Sequence, residues 1–253
     1  MTEQEFFNWL LAAWFVVAVA IFIALFFIVA PYGRHTRSNW GLTINNKIGW
    51  VVMEAVSPLI FTICFILSSN IRTAAQLIFL GLWDAHYIHR AFIYPFSLRG
   101  DARRIPLAVV TPGIFFNMVN AYLNGRYIFT FSSGYTNQWL ADPRFIGGAG
   151  IFIIGFIINR QADRMLRNLR SAGESGYKIP FGGMYRWISC PNYFGEILIW
   201  IGWALATWSL SGLAFALWTA ANLVPRARSH HNWYREHFPD YPPERGVLIP
   251  GIW

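Results

Sequence analysis

Long apolar runs alternate along this chain with short, arginine-bearing polar connections. About 20 consecutive apolar residues cross a bilayer as a helix. Measured against that length, the pattern predicts seven helical segments: Phe6–Ala30, Ile48–Ser68, Ala74–Phe96, Pro106–Leu123, Phe145–Met165, Tyr193–Leu210 and Leu213–Val224, the last continuing as a helix past Pro225. Only a tight hairpin fits between the last two, at Ser209 to Gly212. The first segment has Asn8 as its one strongly polar member and is too long for the core of a cleavable signal peptide. No repeat, low-complexity tract or hydrophilic domain breaks the series. The expectation is an all-α integral membrane protein, a single membrane domain over residues 1–253 with four helices in 1–124 and three in 125–253.

Charge placement orients the segments. Seventeen Lys and Arg fall in or beside the first, third and fifth connections and the C-terminal stretch, against three (Arg72, Arg126 and Arg144) on the other side. The positive-inside rule then places the C-terminus in the cytoplasm and the N-terminus outside. Composition agrees, with 55% hydrophobic residues, 13% charged residues and a mean hydropathy of +0.38; soluble domains carry about 25% charged residues. Thirteen Trp, many near the ends of apolar runs, suit an interfacial belt. The net charge of +8 is carried almost wholly by arginine, since Lys47 and Lys178 are the only lysines. A GC-rich genome produces that bias, and so does phosphate recognition by planar guanidinium forks. Nucleic acid is not expected as a partner, because no polar domain presents a basic face. Cys64 lies mid-segment and Cys190 in a connection, which speaks against a disulfide, and no zinc-ligand spacing occurs.

Polar residues inside the apolar runs are the informative exceptions, because an ionisable group in hydrocarbon is costly unless it is paired or faces a cavity or ligand. Segment two carries Glu54, with no basic residue in its own turn; a partner from another helix is required, and a tyrosine hydroxyl is a plausible one. Segment three carries Asp84, His86, Tyr87, His89 and Arg90, where Asp84 with Arg90 suits a structural ion pair. Segment four carries Asn117, Asn120 and Asn124, which suit interhelical hydrogen bonds.

Three further stripes repeat a helical step. They are Asn159, Asp163, Arg167 and Arg170; Asn192 and Glu196; and Arg226, His230 and Tyr234. Residues four apart share a helix face. Three such faces flanking the most arginine-rich connection suggest a large anionic ligand with a neutral polar head, a dinucleotide being one candidate. Neither GxGxxG after a strand nor GxxxxGK[ST] is present, so phosphates would be held by arginine side chains and helix ends. Gly147, Gly148, Ala149 and Gly150 form a small-residue packing patch. His230, His231 and His237 lack the carboxylates of a metal site, and no metal is expected.

Several segments together resemble the steroid 5α-reductase family. They are Gly176-Tyr-Lys-Ile-Pro-Phe-Gly-Gly, Cys190-Pro-Asn-Tyr-Phe-Gly-Glu196, Ala204-Leu-Ala-Thr-Trp-Ser-Leu210, Arg226-Ala-Arg-Ser-His-His231 and Asp240-Tyr-Pro with Leu248-Ile-Pro250. Tyr32-Gly-Arg-His-Thr36 and His86-Tyr87-Ile-His-Arg-Ala-Phe-Ile-Tyr94 extend the likeness over essentially the whole chain. The resemblance implies a seven-helix membrane enzyme that uses NADPH to reduce the Δ4 double bond of a 3-oxo steroid. It implies cofactor contacts at Tyr32, Arg34, Arg99, Arg103, Asn159, Asp163, Arg170, Tyr177, Lys178, Asn192, Glu196, Arg226, His230 and Tyr234. It also implies a catalytic pair of Tyr87 and Glu54, with Met53, Glu54 and Tyr87 at the substrate and Met53 standing where the family has glutamine. Helices one to four would then hold the sterol-like body and helices five to seven the cofactor. The expected partners are a steroid-like small molecule and membrane lipids, the expected state a monomer. The host membrane would be a bacterial inner membrane or, in a eukaryote, the endoplasmic reticulum.

Two other classes compete. An isoprenylcysteine methyltransferase-like enzyme using S-adenosylmethionine would share the C-terminal likeness but would not need Tyr87, Glu54 or so many arginines. A non-enzymatic sterol or lipid transporter is disfavoured by the absence of matched interrupted helices in two halves.

Overall fold

A computed structural model describes residues 1–28, 41–70, 72–98, 104–169 and 176–253. The seven apolar segments fall on eight α-helices, because Ala74–Phe96 is divided between two of them by a π turn. In chain order these are α1 (Glu3–Phe27), α2 (Asn46–Ile66), α3 (Ala74–Ile88), the short α4 (Tyr94–Ser97), α5 (Leu107–Arg126), α6 (Pro143–Asn168), α7 (Pro191–Thr207) and α8 (Leu210–His237). Three of them, α1, α2 and α6, are long and apolar enough to cross a membrane among the described residues. The others fall short for identifiable reasons: α3 is interrupted after 15 residues by a π turn at His89–Ile93 and α4 has four residues, α5 carries three asparagines and an arginine among its 20 residues, α7 has 17 residues, and α8 is polar beyond Pro225.

Local chemistry sets the helix starts. Thr2 Oγ1 accepts from the Glu5 amide while Glu5 Oε2 accepts from the Thr2 amide, a reciprocal cap that starts α1 at Glu3, three residues earlier than the hydropathy pattern predicts. The predicted end of that segment, at Ala30, lies outside the described residues. The Asn45 side chain caps α2, and Thr73 with Gln76 forms a capping box on α3. The sequence pattern gives no sign of a two-stranded antiparallel ribbon, β1 (Thr43–Asn45) with β2 (Arg104–Pro106), which pairs Ile44 with Ile105. These strands run directly into α2 and α5. Their three-residue length explains why no alternation betrays them.

The chain forms two compact units: Met1–Leu11 with Pro31–Ile146, and Ala12–Ala30 with Gly147–Trp253. In the first, α2 and α5 run in the same direction at close range. A Cβ at Gly113 would fall 2.2 Å from Met53 Sδ, and one at Gly125 would fall 2.8 Å from Cys64 Cβ. An aromatic stack fills the core, with Phe61 face to face on Trp83 at 4.4 Å and edge-on to Phe129 at 5.0 Å. In the second unit, α6 and α7 run antiparallel with backbones in contact through Gly148 and Gly155 on one and Gly195 and Gly202 on the other. Small residues seven apart keep one face clear along both helices, which allows this approach.

The tight turn expected at Ser209–Gly212 is present but lies at Trp208–Ser209, because α8 already begins at Leu210. Trp208 takes a left-handed backbone (φ 45°) and Ser209 caps α8 by accepting from the Gly212 amide.

Candidate active site

The second unit gathers the described members of the three polar stripes. The glycine contact between α6 and α7 is what brings them together. A Cβ at Gly195 would meet the Asn159 amide nitrogen at 2.5 Å, so the residues flanking that contact face each other across a very short gap. Asn159 Nδ2 donates to the Asn192 carbonyl at 2.9 Å and to Glu196 Oε2 at 3.1 Å. Asn192 Nδ2 donates to Asp163 Oδ1 at 3.3 Å, and Trp200 Nε1 donates to Glu196 Oε1 at 3.0 Å. Glu196 is 6% exposed. Its two oxygens thus take neutral donors from two helices, which lowers the cost of burying the carboxylate.

The third stripe joins through a residue that stripe reasoning missed. Arg226, buried on α8, donates from Nε to the Tyr193 hydroxyl at 3.1 Å, and the His230 ring lies 5.4 Å from the Tyr193 ring. Tyr193 follows Asn192 directly, so its place in the Cys190–Glu196 motif was the available signal. Trp200 had one too, lying four residues after Glu196 on the same face. Tyr185 was not foreseen: it is fully buried, its hydroxyl sits 3.5 Å from the Ala162 carbonyl, and burial, with the Asp163 charge nearby, pushes its phenol well above the usual tyrosine range. Tyr234 is buried and stacks on Tyr241 at 5.2 Å. Tyr177 is exposed but packs against Trp233 of α8 at 5.1 Å, and Lys178 is exposed beside it.

A hydroxyl knot fastens the C-terminal stretch to this unit. Ser189 Oγ lies 2.7 Å from His231 Nδ1, 2.6 Å from the Tyr241 hydroxyl and 3.1 Å from the Gly246 carbonyl. Burial, with Arg235 nearby, holds the His231 imidazole below its usual range, so the knot is built from a neutral ring at neutral pH.

In the first unit, Glu54 and Tyr87 are both buried, at 5% and 3% exposure. α2 and α3 pack antiparallel, with Thr62 donating to Asp84 Oδ2 at 2.9 Å near one end and Arg90 donating to Glu54 Oε1 at 3.0 Å near the other. Tyr87 lies midway between Asp84 and Arg90 in sequence, in the last turn of α3. It packs on Trp83 at 5.2 Å, at the rim of the aromatic core. The expected Asp84–Arg90 pair is therefore replaced by two interhelical contacts, and the partner that Glu54 required is an arginine. Met53 is buried among Gly113, Ile105 and Val110, and its carbonyl accepts from Asn117 Nδ2 at 2.9 Å. Asn117 thus makes the interhelical bond expected of it, whereas Asn124 donates within α5 to the Asn120 carbonyl.

Residues 103–253 match the family model described as 3-oxo-5-alpha-steroid 4-dehydrogenase. The cotton (Gossypium hirsutum) protein named steroid 5-alpha-reductase DET2 is 38% identical over 258 residues, covering 100% of this chain and 99% of its own length. The human protein named 3-oxo-5-alpha-steroid 4-dehydrogenase 1 is 41% identical over 221 residues, covering 87% of this chain and 85% of its own. The chain belongs to this family, the steroid 5α-reductases. It is accordingly an enzyme, an oxidoreductase of the class acting on CH–CH bonds. The Arabidopsis thaliana steroid 5-alpha-reductase DET2 is 34% identical over 259 residues and likewise spans the whole chain.

Of the positions that the steroid 5α-reductase resemblance implies, Tyr32, Arg34, Arg99, Arg103 and Arg170 lie outside the described residues. The others fall into two groups, Met53, Glu54 and Tyr87 in the first unit and the remaining cofactor positions in the second. The second group suits a dinucleotide by its chemistry. Amides and carboxylates offer partners to a neutral polar head, while Arg226, His230 and Lys178 offer positive charge or donors. Arg167, next along the Asn159–Asp163 stripe, buries an Nη1 that has no acceptor among the described residues, as expected where an anionic group is to be received.

Proposed function

We propose that the protein is a seven-span membrane reductase, a single domain with its N-terminus outside and its C-terminus in the cytoplasm, that uses NADPH to saturate the Δ4 double bond of 3-oxo-Δ4 steroids. The observation that carries this reading is the hydrogen-bonded meeting of Asn159, Asp163, Asn192 and Glu196, four positions that the family resemblance implies for the cofactor. Asn159, Asp163, Asn192, Glu196, Arg226, His230 and Tyr234 would hold it, with Tyr177 and Lys178 from the connection before α7. When bound, NADPH supplies the hydride that adds to C5, the β-carbon of the enone.

The chain's own part in the reaction follows from where charge develops. Addition at the β-carbon sends negative charge to the 3-oxo oxygen, and the Tyr87 hydroxyl is the donor that stabilises it there. Buried among Trp83 and His86 in a site of low dielectric, that hydrogen bond strengthens as the charge grows. Glu54 orients the donor. Proton uptake at C4 completes the saturated product. The apolar walls of the first unit exclude water from the developing enolate. Purified protein supplied with NADPH and testosterone or progesterone is expected to yield the 5α-reduced steroid, read by mass spectrometry; tight NADPH binding with no turnover of any of several enones would defeat the reading.

Met53 gives a second test. Its thioether neither donates nor accepts strongly, and here it fills the apolar notch above Gly113. Met53→Gln keeps the length of the side chain and restores an amide beside Glu54. It is expected to raise turnover while lowering the thermal midpoint, because an amide in that notch costs about 1–3 kcal/mol when unpaired. Unchanged turnover would show that Tyr87 and Glu54 suffice without a third hydrogen bond.

A further inference from the structure

Arg90 is not among the catalytic, substrate or cofactor positions that the resemblance implies, yet the structure attaches it to the carboxylate next to the proposed chemistry. It sits on the π turn His89–Ile93, where α3 widens by one residue. Such turns shift the helix face and recur at functional sites. Its Nε donates to Glu54 Oε1 at 3.0 Å, while its guanidinium carbon lies 5.4 Å from the Trp50 ring centroid. Trp50 and Glu54 are one turn apart on α2, so the guanidinium spans a single helical turn, resting on an aromatic face at one end and a carboxylate at the other. Tyr94, just past the π turn, closes on the same Trp50 ring edge-on at 5.8 Å. The side chain of Glu54 is 7% exposed and that of Arg90 is 30% exposed. The cation therefore lies toward the open side, with the carboxylate inside it.

We infer that Arg90 is a positioning residue for the reaction: it keeps Glu54 as an oriented carboxylate whose Oε1 is committed to the guanidinium and whose Oε2 is left to face Tyr87 or the substrate. This rests on the functional reading above. It also alters the part of Glu54. A carboxylate accepts hydrogen bonds and donates none, so the donor to the 3-oxo oxygen is Tyr87, and Glu54 acts by accepting. Without Arg90 the carboxylate loses the partner that fixes its plane, and misplacement of about 1 Å near reacting atoms costs about 100-fold.

The test uses the full-length protein in detergent or nanodiscs, with Arg90→Ala, Arg90→Lys and Glu54→Gln. Arg90→Ala is expected to lower kcat by about 30- to 100-fold while KM for the enone and the NADPH affinity, read by fluorescence, change by less than about threefold. Arg90→Lys should recover much of the loss, since an ammonium restores the charge without the planar fork. Added guanidinium ion should partly rescue Arg90→Ala and should not rescue Glu54→Gln. A rise in KM at unchanged kcat, or a lysine variant as impaired as the alanine one, would overturn the inference. Infrared difference spectra give a readout independent of turnover: the ionised carboxylate band that Glu54→Gln removes should be present in the parent protein and weakened in Arg90→Ala. A band of equal strength in both would also overturn it. Were the parent protein to reduce no enone while that band behaved as expected, the ion pair would stand and the functional reading would fall.

Discussion

Tyr87→Phe is expected to lower kcat by about 100- to 1,000-fold while leaving the NADPH affinity within about twofold of the parent protein. The substitution removes one oxygen and keeps the ring that packs on Trp83 at 5.2 Å and against His86 at 5.1 Å. The fold therefore has little reason to change. What disappears is the proposed donor to the oxygen on which charge accumulates. Removing one such donor costs about 3–4 kcal/mol of transition-state stabilisation in buried sites. Steady-state kinetics beside a direct NADPH titration separate the two readouts. If affinity and turnover fall together, Tyr87 holds structure and the chemistry lies elsewhere.

The second large effect concerns the backbone contact beneath the cofactor positions. Gly195→Ala is expected to destabilise the protein by about 2–3 kcal/mol and to weaken NADPH binding with it. The added Cβ would stand 2.5 Å from the Asn159 amide nitrogen and 2.7 Å from the Gly155 carbonyl. Both are backbone atoms, which cannot swing aside as a side-chain tip can, so the two helices must part. Gly150→Ala is the matched control, since a Cβ there meets nothing within 4 Å, and it should be neutral or stabilising by up to about 1 kcal/mol. Thermal melts of the two variants side by side, with NADPH titration, decide the matter. Equal midpoints would show that α6 and α7 are not held at the distance described.

The sequence announced its helices and hid their partners. Hydropathy located all seven long segments because each must bury or present an apolar surface over many turns, and the four-residue step identified the polar stripes because the α-helical period is fixed. Gly147–Gly150 was recognisable as a packing patch, although only Gly148 makes the close approach to α7. Which stripe residue touches which depends on the register between helices, and no single-helix pattern contains that. Arg90 is the clearest case. The sequence offers Asp84 as its ion-pair partner, whereas the antiparallel crossing of α2 brings it to Glu54 instead. Met53 was legible as a departure from the family, and its lodging over Gly113 was not. The capping contacts of Thr2, Asn45 and Thr73 were present in the sequence as cap-forming residue types, but they shift boundaries by only a few residues and are visible mainly in hindsight.

The glycine seam between α6 and α7 also has a kinetic meaning. Asn159 and Glu196 are borne by two rods whose backbones already touch, so the half of the second unit proposed to hold the neutral head of a ligand has no slack to open. Entry and departure would then be governed by the other half, where Tyr177 and Lys178 ride on an exposed connection and Arg226 bonds the Tyr193 phenol. The residence time of the ligand would then answer to substitutions at Tyr177 or Tyr193 far more than to any in α6. Release would be a loosening of loops and side chains, with the helical frame standing still throughout.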